Sequence, residues 1–295
     1  MSIFAFVLVV VSAIIHASWN LLGKSRTPTP AFFGLASLGA GSLLLPVLVY
    51  VLSLPISLPT SFWWLLLFSG FCQMVYMASL ALAYQQADVG VVYPIARALP
   101  VLMVAVTTAL LGQSLPLSVW GGMVVVTAGC LFVPLVSFRQ WHWRAYTQLG
   151  CIWALVAAIG TAGYSVLDNT ALELLAATGL PSWLIAMFYL GAQFLVTGCW
   201  LSVFYLSKSE RHKFAAVWQD RHIALLTGSM MGGTYGLVLW AMTLTENVSY
   251  IVALRQLSIP VGVGLGVWLL KEPSYRPRVV GAMLVCVGLV VVSLR

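Results

Sequence analysis

The stretch "VVYPIARALPVLM", residues 91–103, buries an arginine, Arg97, in an apolar run, and "SYIVALRQLSIPVGVG", residues 249–264, does the same with Arg255. Placing a charged side chain at the centre of a membrane helix costs about 2.5–3.5 kcal/mol on insertion scales, so two such residues need a reason. Sliding the sequence by 158 residues lays Arg97 on Arg255, Gly70 on Gly228, Ala83 on Ala241, Leu99 on Leu257 and Leu111 on Leu269, with Asp88 opposite Glu246. One extra residue then brings Gly122 onto Gly281, Val126 onto Val285 and Gly129 onto Gly288. Each half therefore reads as a helix, an acidic turn, a helix with a deep arginine, a further turn and a glycine-containing last helix.

The rest of the chain sets this repeat in a membrane. Of 295 residues, 61% are hydrophobic and only 7% charged, against roughly 25% charged in soluble domains. Turn and charge signals cut the sequence into ten apolar segments, near 3–22, 31–53, 62–84, 91–111, 118–138, 147–171, 182–206, 222–243, 249–270 and 278–294. Each is close to the ~20 residues that cross a ~30 Å hydrocarbon core. Five helices per half is an odd number, so the second half enters the membrane upside down relative to the first. The expected fold is all-α, with two inverted five-helix repeats over 1–138 and 147–295. Secondary carriers have this architecture, with a binding site near the midplane between the repeats.

Composition also excludes several classes. Against 7 Asp and Glu, the 14 Lys and Arg give a net charge of +7; all but Arg97 and Arg255 are spread over short loops, so they set topology and give no support to nucleic-acid binding. Lys24, Arg26, Arg139, Arg144, Lys208, Arg211, Lys213, Arg221, Lys271, Arg276 and Arg278 fall in alternate loops on one side, with Arg295 alone on the other, which predicts both termini outside the cytoplasm. Cys72, Cys130, Cys151, Cys199 and Cys286 form no C-x-x-C or Cys/His cluster; no metal or cofactor is expected, and all five read as small core residues. No basic start or A-x-A site marks a cleaved signal peptide, so residues 1 to about 22 read as a retained first helix. The many Trp, Tyr and Phe belong in part to interfacial aromatic belts, and "SKSERHKFAAVWQDRH", between segments seven and eight, has room for a small amphipathic turn.

Polar residues inside the helices mark the candidate site. Arg97 and Arg255 lie six or seven residues into their helices, about 10 Å deep at 1.5 Å per residue. Tyr93 precedes Arg97 by one turn and shares its face, and Pro94, Pro100 and Pro260 free carbonyls that are tolerable only beside protein or a water-filled cavity. Asp168, in "GTAGYSVLDNTALEL", has Tyr164 one turn earlier, with Gly160 and Gly163 allowing close helix approach. It either pairs with an arginine or belongs to interfacial polarity near a helix end. In "HASWN", spacings of three and four put His16, Trp19 and Asn20 on one face, a stripe suited to a cavity. His16 can also take a proton near neutral pH, which suits proton coupling. Tyr76 and Tyr235 complete the set of substrate-binding candidates. Gly228, Gly232 and Gly236, like Gly262 and Gly266, read as packing seams. Asn247 or Ser249 in "NVS" reads as a helix cap.

"HASWNLLGK", "YPIARALPVL", "GYSVLDN" and "VALRQLSIPVGVGLGVWLLKEP" together resemble the EamA-type permeases of the drug/metabolite transporter superfamily along the whole chain. The first half has "LGQSLP" where the second has Lys271 and Glu272 before a proline, so Gln113 and Ser114 replace that pair. The resemblance implies a bacterial-type cytoplasmic-membrane permease moving small metabolites, often outward, by alternating access through a central cavity. It also implies both termini inside, opposite to the loop charges. The partners expected are the lipid bilayer and a small-molecule substrate, with the protein a monomer or a homodimer. An intramembrane enzyme would need a catalytic constellation that the buried residues do not supply. A scaffold subunit would seal its polar faces against one another with no cavity. No ring of like charges marks a channel, and without a P-loop any pumping draws on a gradient.

Overall fold

The computed structural model describes residues 2–23, 29–86, 89–113, 115–140, 149–206, 217–269, 271 and 273–293, with residues 17–23, 89–91, 93, 94, 140, 205, 206 and 269, Trp19, Asn20 and Tyr93 among them, described in backbone only. The described chain is helical, with short turns. Its helices are α1 (Ile3–Gly23), α2 (Pro30–Leu43), α3 (Leu45–Ser53), α4 (Thr60–Gln86), α5 (Val89–Leu110) and α6 (Leu117–Phe132) in the first half. The second half holds α7 (Leu149–Ala176), α8 (Ser182–Ser202), α9 (Arg221–Met242), α10 (Val248–Leu254), α11 (Ser258–Leu269) and α12 (Arg276–Ser293). A 3₁₀ turn, Arg255–Leu257, joins α10 to α11.

With α2–α3 and α10–α11 each taken as one span, these make the ten expected segments. Six spans, α4, α7, α8, α9, α10–α11 and α12, are long and apolar enough to cross a membrane, and α2–α3 is a seventh, bent by 49°. The apolar parts of α1, α5 and α6 are shorter. The bend falls where Pro46 enters α3; its ring lacks an N–H and crowds the carbonyl four residues back. Outward-facing side chains such as Phe4, Leu110, Leu117, Leu226 and Trp268 are exposed and apolar, as a lipid-covered surface requires.

Packing follows the repeat. α4 lies along α7, and the equivalent pair, α9 and α1, also packs together. α5 on α7 has its counterpart in α11 on α1, while α2 meets α8 and α6 meets α12 across the middle. Reciprocity is clearest at the α6–α12 seam. A Cβ on Gly129 would lie 2.7 Å from the Gly281 carbonyl, and one on Gly281 would lie 2.7 Å from the Gly129 carbonyl. Gly122 and Gly288 repeat the exchange at 2.9 and 2.7 Å. Because Gly122 aligns with Gly281 and Gly129 with Gly288, a two-fold operation turns one contact into the other. The two helices run antiparallel, as inverted copies of one element must. Gly228 is tighter still, its absent Cβ falling on the Ala36 carbonyl of α2; the glycine seam read from the sequence is present there.

One sequence expectation changes. Cys130 and Cys151 are buried and Cys72 half-buried, but Cys199 and Cys286 are exposed; a thiol is apolar enough to face lipid, so surroundings in sequence alone did not place it inside. α5 stays helical through Pro94 and Pro100, although both lack an amide donor. The loop expected to hold an amphipathic turn lies mostly outside the described residues, as do Asp88, Ser114 and Glu272.

Candidate functional site: an arginine-lined cavity and a buried carboxylate

The second deep arginine sits on a break in its own helix. Pro260 has no N–H to offer the Gln256 carbonyl and its ring crowds that carbonyl, and α10 gives way to the 3₁₀ turn over Arg255–Leu257. Ser258 adds a bond across the turn: its hydroxyl donates to the Arg255 carbonyl at 2.9 Å. The same oxygen accepts Arg97 Nη2 at 2.6 Å. One serine thus ties the arginine of the first half to the broken helix of the second. Farther along the α5–α10 crossing, Thr108 and Ser249 hydroxyls meet at 2.9 Å, as expected of two antiparallel helices.

Around this crossing lies a narrow cavity bordered by Tyr76, Arg97, Pro100, Tyr164, Arg255 and Gln256. It admits the centre of a water molecule over about 10 Å³, space for one water. Gln256 is 3% exposed; its amide Nε2 donates to the Val252 carbonyl at 3.2 Å, while its buried Oε1 has no hydrogen-bond partner among the described residues. Pro100 and Ala96, which would exchange a backbone bond if Pro100 had an N–H, both border this space. Freed backbone beside a cavity is the arrangement membranes tolerate.

Tyrosine rings connect the cavity to the carboxylate. Tyr76 and Tyr164 meet edge to face at 6.0 Å, and Tyr164 meets Tyr235 in the same way at 5.7 Å. The Arg255 guanidinium lies 5.3 Å from the Tyr235 ring centre, within cation–π range. On its other side the Tyr235 hydroxyl donates to Asp168 Oδ2.

Asp168 is fully buried. Ser69 donates to its Oδ1, Tyr189 to the same oxygen at 2.8 Å, and Gln193 Nε2 to both oxygens at 2.8 and 2.9 Å. The sequence suggested an arginine partner or an interfacial position. The structure replaces both with neutral donors from α4, α8 and α9, because α8 packs its Tyr189 and Gln193 against the α7 face that carries Asp168. The predicted closeness of α7 is present: a Cβ on Gly160 would lie 2.8 Å from both the Cys72 carbonyl and the Tyr76 amide, and one on Gly163 would lie 2.8 Å from Cys72 Sγ.

Of the residues singled out by sequence, Tyr76, Arg97, Tyr164 and Arg255 border the cavity, and Tyr235 and Asp168 stand behind it. His16 is half-buried on α1. The side chains of Trp19, Asn20 and Tyr93 lie outside the described residues. Ser258, Gln256, Ser69, Tyr189 and Gln193 went unnoticed, although an intramembrane glutamine is as unusual in composition as the residues that were picked. Asn247 caps α10 by accepting the Ser249 amide at 2.9 Å, as its motif suggested. Among the described residues, no group of three His, Cys, Asp or Glu is placed to hold a metal ion.

Ten helical segments in two inverted halves, with a charged cavity where the α5 and α10 helices cross, make a multi-pass membrane architecture. Residues 3–135, the first five spans, match the model of the EamA-like transporter family. No curated protein matches the chain. Among 28 solved chains that match it, one crystal structure covers 98% of both chains at TM-score 0.71 and 16% identity, a likeness of fold alone.

Proposed function

We propose that the protein is a secondary carrier that binds a small polar or amphipathic metabolite through an anionic group held between Arg97 and Arg255. The two halves, 1–138 and 147–295, rock about this site, and the substrate moves outward across a bacterial-type cytoplasmic membrane. The observation that carries the reading is the convergence of two arginines, equivalent under the repeat, on one cavity beside a broken helix. Guanidinium groups bind carboxylate and phosphate through charge-assisted bonds. Discontinuous helices with freed backbone groups are where such carriers hold their cargo. Tyr76 and Tyr164 supply apolar walls for the rest of the molecule, and the unpartnered Gln256 amide oxygen supplies a polar contact. His16, on α1, is the residue this reading assigns to proton coupling.

A scaffold subunit is the competing reading, and the sealed Asp168 cluster is the feature that favours it. Binding separates the two. Purified protein in detergent is heated with small organic anions, amino acids, aromatic metabolites and organic cations. A carrier with this site is stabilised by anions, and Arg97→Gln or Arg255→Gln weakens that binding about 10- to 100-fold, the worth of one charged hydrogen bond. Stabilisation by no compound, or equal stabilisation of both variants, would speak for the scaffold.

A further inference from the structure

Asp168 is surrounded by more than a binding role needs. Four side chains from three other helices donate to one carboxylate, and every donor is neutral. One of them, Ser69 on α4, belongs to the first half of the chain; Asp168, Tyr189, Gln193 and Tyr235 belong to the second. The Asp168–Ser69 bond therefore crosses from half to half, where α4 and α7 pack most closely. Gln193 also donates to Ser69 Oγ at 2.8 Å. Its other amide atom, Oε1, is buried with no hydrogen-bond partner among the described residues.

We propose that Asp168 is a proton-binding latch between the halves, closed when the carboxylate is ionised and released when it takes a proton that the Gln193 carbonyl then accepts as a hydrogen bond. An ionised carboxylate only accepts hydrogen bonds, and here all its donors are supplied. A neutral carboxylic acid must donate one, so it needs an acceptor. Turning the Gln193 amide about its last bond presents Oε1 to the new Asp168 O–H and takes Nε2 away from Ser69 and Asp168. The proton comes from water; no other bond breaks. The same turn strips donors from the carboxyl group and leaves the cross-half contact through Ser69 without its third member.

The surroundings allow the change to be felt at the cavity. The titratable and charged groups near Asp168 are the Cys72 thiol from α4, the Tyr189 phenol from α8, the Tyr235 phenol from α9 and, across the Tyr235 ring, Arg255 at the end of α10. α5 contributes Arg97, which borders the cavity beyond Tyr164. Tyr235 is the shared element: its hydroxyl holds Asp168 and its ring holds Arg255. Protonation at Asp168 thereby frees the residue on which one cavity arginine rests. The latch rests on the carrier reading, since a carrier must exchange its halves and a scaffold need not.

The test uses intact protein in liposomes with Cys130, Cys151, Cys199 and Cys286 replaced by alanine, leaving Cys72 on the α4–α7 seam as the sole thiol. Infrared difference spectra between alkaline and acid buffer should show the C=O stretch of a neutral, buried carboxylic acid that Asp168→Asn removes and Gln193→Leu shifts. Maleimide labelling of Cys72 should accelerate several-fold on acidification, against the chemical trend that slows thiols in acid. In Asp168→Asn and Ser69→Ala it should be fast at both pH values. Ser69→Ala keeps the carboxylate, so it carries the test if Asp168→Asn does not reconstitute. Absence of an Asp168-dependent band, or a band with Cys72 labelling unchanged, overturns the latch. Neither readout requires transport: a protein that carries substrate but lacks the band keeps its carrier function and loses the latch, whereas band and labelling without transport of any substrate remove the carrier reading on which it stands.

Discussion

Tyr235 is the residue on which the two polar clusters meet, and it separates their contributions. Tyr235→Phe keeps the ring beneath Arg255 and removes one donor from a buried carboxylate, which should cost about 1–3 kcal/mol. Thermal unfolding in detergent would report it as a clear fall in midpoint, while anion affinity changes little. Tyr235→Leu removes both contacts, so stability and affinity should fall together. A phenylalanine variant with unchanged stability would show that the hydroxyl bond to Asp168 is not made. At this scale the charges were legible and their partners were not. Arg97, Arg255 and Asp168 stand out because an apolar run makes any charge conspicuous. Ser69 and Ser258 do not, because hydroxyls within helices commonly bond to their own backbone: Ser165 donates to the Thr161 carbonyl at 2.7 Å and Thr161 to the Ala157 carbonyl at 3.0 Å. Residue type does not tell such a serine from one that holds an arginine.

Prolines of the same chemistry have different consequences in different helices. Pro260 breaks α10–α11 at the arginine, whereas α5 runs through Pro94 and Pro100 unbroken. Pro94 lies close to the start of α5, where few carbonyls behind it need a partner. Pro100 faces the cavity, which spares its neighbourhood dense packing. Pro260→Ala should restore the donor to the Gln256 carbonyl and raise stability by about 0.5–1.5 kcal/mol. It should slow transport, because a continuous helix loses the turn that carries Arg255; a faster carrier would contradict this role for the break. Asn247→Ala should cost about 1 kcal/mol through the lost cap of α10, read as a lower unfolding midpoint. Gly129→Ala or Gly281→Ala should be the costlier change. Either places a methyl 2.7 Å from a facing carbonyl, and such overpacking costs typically 1–3 kcal/mol. Span positions could be read from the sequence since apolar runs of bilayer length have one explanation; the α2–α3 bend could not, because Pro46 signals a kink without its angle.

The whole molecule is organised by its two-fold repeat. Aligning Gly122 with Gly281 and Gly129 with Gly288 predicted nothing about contact, yet these glycines meet one another across the α6–α12 seam. Pairs of helices repeat in the same sense, and the two deep arginines border a shared cavity at the crossing. The asymmetry is equally informative: Asp168, Tyr189, Gln193 and Tyr235 all lie in the second half, so the proposed latch is not duplicated as the arginines are. A repeat search finds only what both halves share, which is why it led to the arginines and missed the carboxylate's partners. Uptake by proteoliposomes tests the central claim most directly. Vesicles holding the protein are offered labelled small organic anions, amino acids and organic cations, with a known permease as control. The account predicts saturable anion uptake that falls at least about tenfold in Arg97→Gln and in Arg255→Gln. Uptake of no anion while the control permease works, or equal uptake by both variants, would contradict it.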